Sequence, residues 1–211
     1  MPIRIRQIRS SQCDLPSVLA YFQQRASGYS TASATGLWAW QRQREAATLA
    51  ALAGEVKGRA ALDLGCGAGF YAIRLADAGA RPVVAVDASP AMIAAIADPR
   101  IETVVGDAST IPLDHRFQPA LLAGQLEFVA DPVAVLANAR RHLEPGGRMV
   151  ALVPADNFVG RLYRRFHRRH GIAIALFDRP RFALVAERAG LALLKAQAVF
   201  PFGDVHAMVA R

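Results

Sequence analysis

The part of the chain that most restricts its fold is a glycine-rich turn within residues 62–71. This stretch reads LDLGCGAGFY, so an apolar run leads directly into three glycines at alternate positions. Glycine tolerates a positive φ and lets a ligand approach the backbone closely. The start of a helix presents unpaired N–H groups to an electron-rich ligand. The pattern therefore predicts a buried strand, a tight turn and a helix, with a ligand site at the turn.

Strand-like and helix-like segments alternate along the rest of the chain. Apolar or β-branched runs are separated by stretches that serine, aspartate or proline opens and glycine closes. We predict strands at residues 60–64, 82–86, 101–105, 119–123, 149–153, 191–200 and 205–210, and helices at 70–78, from 90, at 132–143, 158–170 and 182–189. This alternation favours a doubly wound, mostly parallel sheet with helices on both faces. Only a short turn joins the last two strands, so they should pair antiparallel.

The first part of the chain predicts a helical cap instead. Pro16 suits the first turn of a helix, and a longer helix is expected over residues 37–53, where Gly54 can end it. We therefore divide the chain into an N-terminal helical cap, residues 1–54, and an α/β cofactor-binding domain, residues 55–211. A basic, lid-like segment, residues 156–181, lies within the second part.

Composition limits the class of protein. A chain of 211 residues with 53% hydrophobic and 20% charged residues is a folded globular domain, not a disordered one. Cys13 and Cys66 are too few for a disulfide framework or a zinc site, so we expect no metal and a reduced, cytoplasmic setting. No run approaches the length of a membrane span, and the opening MPIRIRQIRS has no long apolar core, so no secretory signal is expected.

The net charge of +8 is unevenly distributed. Residues 61–155 carry −3, whereas residues 1–60 and 156–181 carry +5 each. A basic excess can indicate a nucleic-acid or acidic-membrane partner. In this chain the basic excess lies in the two segments that flank residues 61–155. Because Lys57 and Lys195 are the only lysines, codon bias of the host is a competing explanation for the arginines.

The glycine turn by itself fits two kinds of cofactor site. Residues 67–72 match the dinucleotide pattern G-x-G-x-x-A, with Asp87 twenty residues beyond Gly67. Residues 63–69 match a second pattern, D-x-G-x-G-x-G, which begins at Asp63. The first pattern would indicate a nicotinamide-dependent enzyme.

Further segments favour the second pattern. Residues 83–89 (VVAVDAS), 105–108 (VGDA) and 143–148 (LEPGGR) follow in order, and the closing hairpin completes the set. Together with the glycine turn they resemble class I S-adenosylmethionine-dependent methyltransferases over about residues 55–211. One departure is Phe117-Gln118-Pro119, where that family usually has Phe-Asp before its fourth strand. That aspartate lies away from the cofactor, so cofactor binding is not put in doubt.

The resemblance implies a seven-stranded Rossmann-like sheet with an antiparallel C-terminal strand, and S-adenosylmethionine as cofactor. It implies that Asp87 accepts hydrogen bonds from the ribose hydroxyls and Asp107 from the adenine amino group, with Met92 packed on the adenine. Cys66 would fill the loop and would not act as a nucleophile. The implied cofactor-binding residues are Asp63, Gly65, Cys66, Gly67, Gly69, Asp87, Ala88, Met92, Asp107, Ala108, Gly124 and Gln125.

Catalytic residues are less well defined, because methyl transfer from a sulfonium needs a general base only if the acceptor must lose a proton. The weak candidates are Tyr21, Tyr29, His115 and Glu127, and for each of them a packing or surface role is the commoner alternative. Trp38 and Trp40 are candidates for lining an aromatic acceptor pocket, with core packing as the alternative.

Residues 158–170 (FVGRLYRRFHRRH) predict an amphipathic, basic helix where the family places substrate lids. Phe158, Leu162 and Phe166 share one face, and five arginines between residues 161 and 169 cover most of the remainder. This helix could bind an acidic acceptor or lie on an anionic bilayer, or it could simply be a solvated surface helix.

The sequence therefore predicts a methyltransferase with a small-molecule acceptor, acidic or amphipathic in character. A nucleic-acid partner is not expected, since no RNA-binding module or N-P-P-Y-type signature is present. Three alternatives stay open. They are a quinone or phospholipid methyltransferase peripheral to a membrane, an NAD(P)-dependent oxidoreductase, and a non-catalytic module that keeps the cofactor pocket.

Overall fold

The computed structural model describes residues 15–23 and 36–211, so Cys13 and Tyr29 lie outside the described residues. Within these ranges two helices precede the sheet, α1 (Leu15–Gln23) and α2 (Gly36–Ala53), and they agree with the helices predicted from residue 16 and over 37–53. The division into residues 1–54 and 55–211 remains a prediction.

Seven strands form one sheet, as predicted. They are β1 (Ala61–Leu64), β2 (Val83–Asp87), β3 (Ile101–Val105), β4 (Ala120–Ala123), β5 (Arg148–Pro154), β6 (Leu191–Val199) and β7 (Gly203–Ala210). Their order across the sheet is β3-β2-β1-β4-β5-β7-β6. β1 to β5 pair in parallel, whereas β7 runs antiparallel to both β5 and β6. The sheet is therefore doubly wound and Rossmann-like, with the antiparallel closing strand that the sequence predicts.

Helices cover both faces of the sheet because its central strands are buried on both sides. Leu62 and Leu64 face a core that contains Phe182, while Ala61 on the same strand faces a second core that contains Leu49. This alternation follows the two-residue period of a strand. The remaining helices are α3 (Phe70–Asp77), α4 (Pro90–Ala94), α5 (Pro132–Arg141), α6 (Phe158–Arg169) and α7 (Arg179–Arg188).

The start of α7 differs from the prediction of a helix over 182–189. The Asp178 side chain accepts a hydrogen bond from the backbone N–H of Arg181 at 2.7 Å, and Pro180 fits the first turn. The helix therefore begins at Arg179, three residues earlier. Ser89 and Asp131 cap α4 and α5 in the same way.

The strand order alone indicates at which edge of the sheet a ligand binds. β1 lies between β2 and β4, so the chain leaves β1 toward one side of the sheet and later returns on the other. The loops that follow β1 and β4 diverge at this point. Ligands of doubly wound sheets bind in that crevice, at the carboxyl ends of the strands.

Candidate active site

The glycine turn after β1 is held open by backbone geometry and one aspartate. Gly65, Gly67 and Gly69 have φ values of +75°, +52° and +82°, in the left-handed region that favours glycine. The N–H of Gly67 donates to Oδ2 of Asp87 at 2.8 Å, and the N–H of Ser89 donates to Oδ1 at 2.8 Å. Asp87 thus fixes the glycine turn against the end of β2.

A cavity of about 130 Å³ lies above this turn, and we call it the glycine-loop cavity. Ten of the twelve implied cofactor-binding residues line it. These are Gly65, Cys66, Gly67, Asp87, Ala88, Met92, Asp107, Ala108, Gly124 and Gln125. Helix α1 closes one side with Val18, Leu19 and Phe22.

The two acids of this cavity lie at the carboxyl ends of neighbouring parallel strands: Asp87 is the last residue of β2, and Asp107 lies two residues beyond β3. Burial raises the pKa of Asp87, and the amides of Ser89 and Gly67 partly offset that rise. Oδ1 of Asp107 accepts hydrogen bonds from the N–H and the hydroxyl of Ser109, at 2.8 and 2.7 Å. Met92 lies fully buried at the start of α4. The arrangement places hydrogen-bond acceptors around a space bordered by an apolar thioether.

Asp63 and Gly69 lie outside the walls of the cavity. Asp63 is completely buried, and among the described residues neither carboxylate oxygen has a hydrogen-bond partner. Burial raises its pKa to about 7; the amide of Ala72 opposes this shift and the charge of Asp87 adds to it. Gly69 is the N-cap of α3 and packs against Ile96. For both residues, contact with a cofactor stays a prediction.

A second, larger cavity of about 340 Å³ adjoins the first, and we call it the aromatic cavity. The two cavities share Phe22, Arg42, Tyr71, Ala123, Gly124 and Phe128. The rest of its aromatic wall comes from Tyr21, Tyr163, Phe166, His167 and Phe202. Tyr21 and Glu127, two of the weak catalytic candidates, line it.

Two glutamates, the buried Glu127 and the half-buried Glu45, give the aromatic cavity its electrostatic character. Burial raises the pKa of Glu127 to about 8, and the nearby charge of Glu45 adds to the shift. Burial also raises the pKa of Glu45, opposed by Gln41, Arg42 and Tyr71. Glu45 accepts hydrogen bonds from Nε2 of Gln41 at 3.0 Å and from the Tyr71 hydroxyl at 3.4 Å. Near neutral pH this cavity therefore holds a carboxyl group that can take up or release a proton.

The other candidates fall elsewhere. His115 is exposed and lines neither cavity, and Tyr29 is outside the described residues. Trp40 is half exposed, with the Arg44 guanidinium over its ring, and it lines neither cavity; the Trp38 side chain is not among those described.

Sequence reasoning missed the polar residues that α2 contributes. Gln41, Arg42 and Glu45 line the aromatic cavity, and Arg42 reaches both cavities. The same is true of Tyr163 and His167 on α6. The spacing of Gln41 and Glu45 by four residues places them on one helix face, but nothing local shows that this face is buried.

The residues that line the glycine-loop cavity fit a nucleoside-type cofactor. Nε2 of Gln125 is buried there and has no hydrogen-bond partner among the described residues, so a donor is left for a ligand. A Cβ built on Gly67 would meet no atom within 4 Å, which leaves its backbone accessible. A carboxylate at the end of β2 can accept hydrogen bonds from a ribose diol.

Fold and site together define a doubly wound α/β cofactor-binding protein whose last strand is antiparallel. Residues 61–147 match the family described as "Methyltransferase domain". This match and the fold support a place for the chain in the class I S-adenosylmethionine-dependent methyltransferase family, whose cofactor is S-adenosylmethionine.

Individual relatives agree with this family. The cypemycin N-terminal methyltransferase of Streptomyces sp. is 40% identical over 98 residues, which are 43% of this chain and 40% of that protein. The demethylmenaquinone methyltransferase of Mycobacterium sp. (strain KMS) is 34% identical over 131 residues, 60% of this chain and 54% of that protein. The chain spans about half the length of these curated relatives, or less.

Solved structures share the fold over nearly the whole chain. The magnesium protoporphyrin IX methyltransferase of Synechocystis PCC 6803, with bound S-adenosylhomocysteine, superposes with a TM-score of 0.74 and 14% identity. The match covers 94% of this chain and all of that one. Within the described ranges, we find no helix long and apolar enough to cross a bilayer.

Proposed function

We propose that this chain transfers a methyl group from S-adenosylmethionine to a small-molecule acceptor bound in the aromatic cavity. The observation that carries the proposal is the shared wall of the two cavities. Ala123 and Gly124, at the end of β4, border both of them. A methyl donor held over the glycine turn would therefore lie next to an enclosed space for an acceptor.

When bound, S-adenosylmethionine supplies an electrophilic methyl group: an acceptor lone pair bonds to the methyl carbon while the C–S electron pair returns to sulfur, which leaves S-adenosylhomocysteine. The protein's contribution is then positioning and the exclusion of water. The aromatic side chains of Phe22, Tyr71 and Phe128 stand where the two cavities meet. They can shield that point from solvent.

The residues around the glycine-loop cavity support specific binding roles. Each carboxylate oxygen of Asp87 accepts one backbone hydrogen bond and keeps a lone pair with which it can accept a ribose hydroxyl. Asp107 is suited to an amino group of adenine, and Met92 to the face of the base. Arg42, which borders both cavities, would lie near the charged end of the methyl donor.

Glu127 is the proposed proton acceptor for an acceptor that must lose a proton. It is fully buried in the wall of the aromatic cavity, and its pKa of about 8 lies close to neutrality. A general base with a pKa near the working pH is the most effective kind. An acceptor that is already a free nucleophile would not require this step.

Two relatives support a small organic acceptor through the compounds in their names, demethylmenaquinone and magnesium protoporphyrin IX. The aromatic cavity has the volume and the lining of a small-molecule pocket. Eight of its eighteen lining residues carry an aromatic ring, which favours an acceptor with a planar or apolar part.

Calorimetric titration with S-adenosylhomocysteine and, separately, with NADH tests the cofactor. We expect saturable binding of S-adenosylhomocysteine and none of NADH; tight NADH binding without S-adenosylhomocysteine binding would establish the oxidoreductase alternative. Transfer of label from methyl-labelled S-adenosylmethionine to small-molecule extracts then tests catalysis. Cofactor binding with no labelled product would favour the non-catalytic module.

A further inference from the structure

Helix α6 presents an apolar stripe to solvent. Phe158, Leu162 and Phe166 recur every four residues, and their side chains are 76%, 51% and 50% exposed. The helix buries a different face, through Gly160 and His167. A Cβ on Gly160 would overlap the carbonyl oxygen of Ala155, so this glycine lets α6 lie directly against the end of β5.

The buried face of α6 is fixed by aromatic contacts. The His167 ring lies 4.5 Å from that of Tyr163, 5.4 Å from Phe128 and 5.8 Å from Tyr21, measured between centroids. These contacts set the rotation of the helix about its axis. The apolar stripe is therefore held outward by packing and does not depend on a choice of side-chain rotamers.

The turn between β6 and β7 extends this apolar surface. Phe200 is 72% exposed, and the Asn157 side chain, at the start of α6, donates to the carbonyl of Pro201 at 3.1 Å. Phe202, in the same turn, lines the aromatic cavity together with Phe166. We call Phe158, Leu162, Phe166 and Phe200 the apolar rim; Phe166 is the member that also lines the aromatic cavity.

Arginines accompany the rim along α6. The helix contains five of them and no acidic residue. Arg161 pairs with Asp156 at 2.9 Å. The other four are exposed and form no ion pair with any described residue; they are Arg164, Arg165, Arg168 and Arg169. Four uncompensated positive charges thus stand beside four exposed apolar side chains.

We propose that the apolar rim and these four arginines dock the protein on a bilayer that contains anionic lipids, with the aromatic cavity opening toward the membrane. An anionic bilayer can bind both the apolar rim and the arginines, because the apolar side chains can insert among the acyl chains while the arginines pair with headgroup phosphates. A nucleic acid would pair with the arginines and leave Phe158 and Leu162 without a comparable apolar partner. A statement about the acceptor follows, and it rests on the proposed function. The methyl acceptor would be an amphipathic molecule that enters the aromatic cavity from the bilayer.

Vesicle flotation tests the docking. The full chain is mixed with vesicles of phosphatidylcholine alone or of phosphatidylcholine with phosphatidylglycerol. We expect flotation only with the anionic vesicles, and a decrease as salt rises. Each arginine should contribute about fivefold to partitioning, so the quadruple replacement R164Q/R165Q/R168Q/R169Q should abolish flotation. Phe158→Ser combined with Leu162→Ser should reduce it at least tenfold.

Matched controls separate docking from folding. Leu194→Ser removes an equally exposed apolar side chain (54%) from β6, and R81Q/R188Q removes two exposed arginines from other parts of the surface. Both controls should float like the wild type, and all variants should keep the wild-type melting temperature.

Other outcomes overturn the proposal. Failure of the wild type to float, or equal flotation of the wild type and the two α6 variants, removes the docking surface. So does salt-sensitive binding of total tRNA without vesicle binding. Calorimetry with S-adenosylhomocysteine is run on the same samples. Flotation without S-adenosylhomocysteine binding would leave the docking intact and refute the proposed methyl transfer.

Discussion

The backbone N–H of Gly67 donates a 2.8 Å hydrogen bond to Oδ2 of Asp87, twenty residues further along the chain. The bond joins the turn after β1 to the end of the neighbouring strand β2. Asp87 therefore has two roles. It holds the glycine turn in place, and it offers its remaining lone pairs to the glycine-loop cavity. A sequence pattern does not separate these two roles.

Replacement of Asp87 tests both tasks. We expect Asp87→Ala to weaken S-adenosylhomocysteine binding by more than tenfold, because a charge-assisted hydrogen bond contributes about 1.5–3 kcal/mol. Asp114→Ala, at an exposed position that lines neither cavity, is the control and should bind like the wild type. A calorimetric dissociation constant that Asp87→Ala leaves unchanged would refute the ribose assignment.

Gly65 should be the least replaceable glycine of the turn. Its φ is +75°, and a Cβ there would overlap the Gln125 side chain. Gly58 has a similar φ of +72° but nothing within 4 Å of an added Cβ. Gly58→Ala should thus lower the free energy of unfolding by only the ~1–2 kcal/mol that an L-residue loses in the left-handed region. Gly65→Ala should lower it clearly more, as measured by urea unfolding. The double variant Gly65→Ala, Gln125→Ala should recover part of the excess, because it removes Oε1 and Cδ of Gln125 but keeps the overlapping Cβ; equal costs for the two single variants would contradict the overlap.

Glu127 should make stability fall as the pH rises. Its pKa is about 8 in the folded protein against a model-compound value of 4.5, so the folded state binds the proton more tightly than the unfolded state. The contribution of this bound proton to the free energy of unfolding is fully present below about pH 4.5 and is lost as the pH rises toward 8. Buried Asp63, with a pKa of about 7, acts in the same direction.

Replacing Glu127 by Gln removes that titration. Relative to the wild type, Glu127→Gln should gain stability progressively between about pH 4.5 and pH 8, because the amide has no charge to bury. Urea midpoints at a series of pH values measure this, with Glu102→Gln at an exposed position of β3 as the control. A stability difference that does not change with pH would show that Glu127 is ionised in the folded state.

Cys66 should behave as an inert thiol. It is buried, donates to the Gly67 carbonyl at 3.4 Å, and burial raises its pKa far above the usual range. In a Cys13→Ser background we expect slow reaction with a disulfide reagent, slower still with S-adenosylhomocysteine bound, since Cys66 lines the glycine-loop cavity. Cys66→Ala should keep cofactor affinity. Rapid modification of the native protein would show instead that the turn opens readily.

The sequence anticipated the glycine turn well because each of its signals is local. Asp87 ends β2 and Asp107 lies two residues after β3, and both strands are predicted from their own β-branched residues. The cap at Ser89-Pro90 is likewise recognisable from adjacent residues alone. The start of α7 was missed, although its signal, Asp178 before Pro180, is of the same local kind.

The aromatic cavity was not predictable in this way. Gln41, Glu45, Glu127, Tyr163 and His167 come from three distant segments, and each has an unremarkable neighbourhood in the chain. Only tertiary packing, in which α2 lies against β5, β6 and β7, brings them to one cavity. Burial then changes their chemistry, because removal of water is what raises the pKa of Glu127.

The sequence by itself determined the order of the elements, the parallel and antiparallel strands, and the resemblance to the methyltransferase family. These follow from short patterns of apolar residues, caps and glycines, whose physics acts within a few residues. Tertiary structure alone decided which face of α6 is buried. Apolar periodicity favours Phe158, Leu162 and Phe166 as its inner face. The contacts of His167 and Gly160 turn that stripe outward, because a Cβ at Gly160 would overlap the carbonyl oxygen of Ala155, the residue after β5.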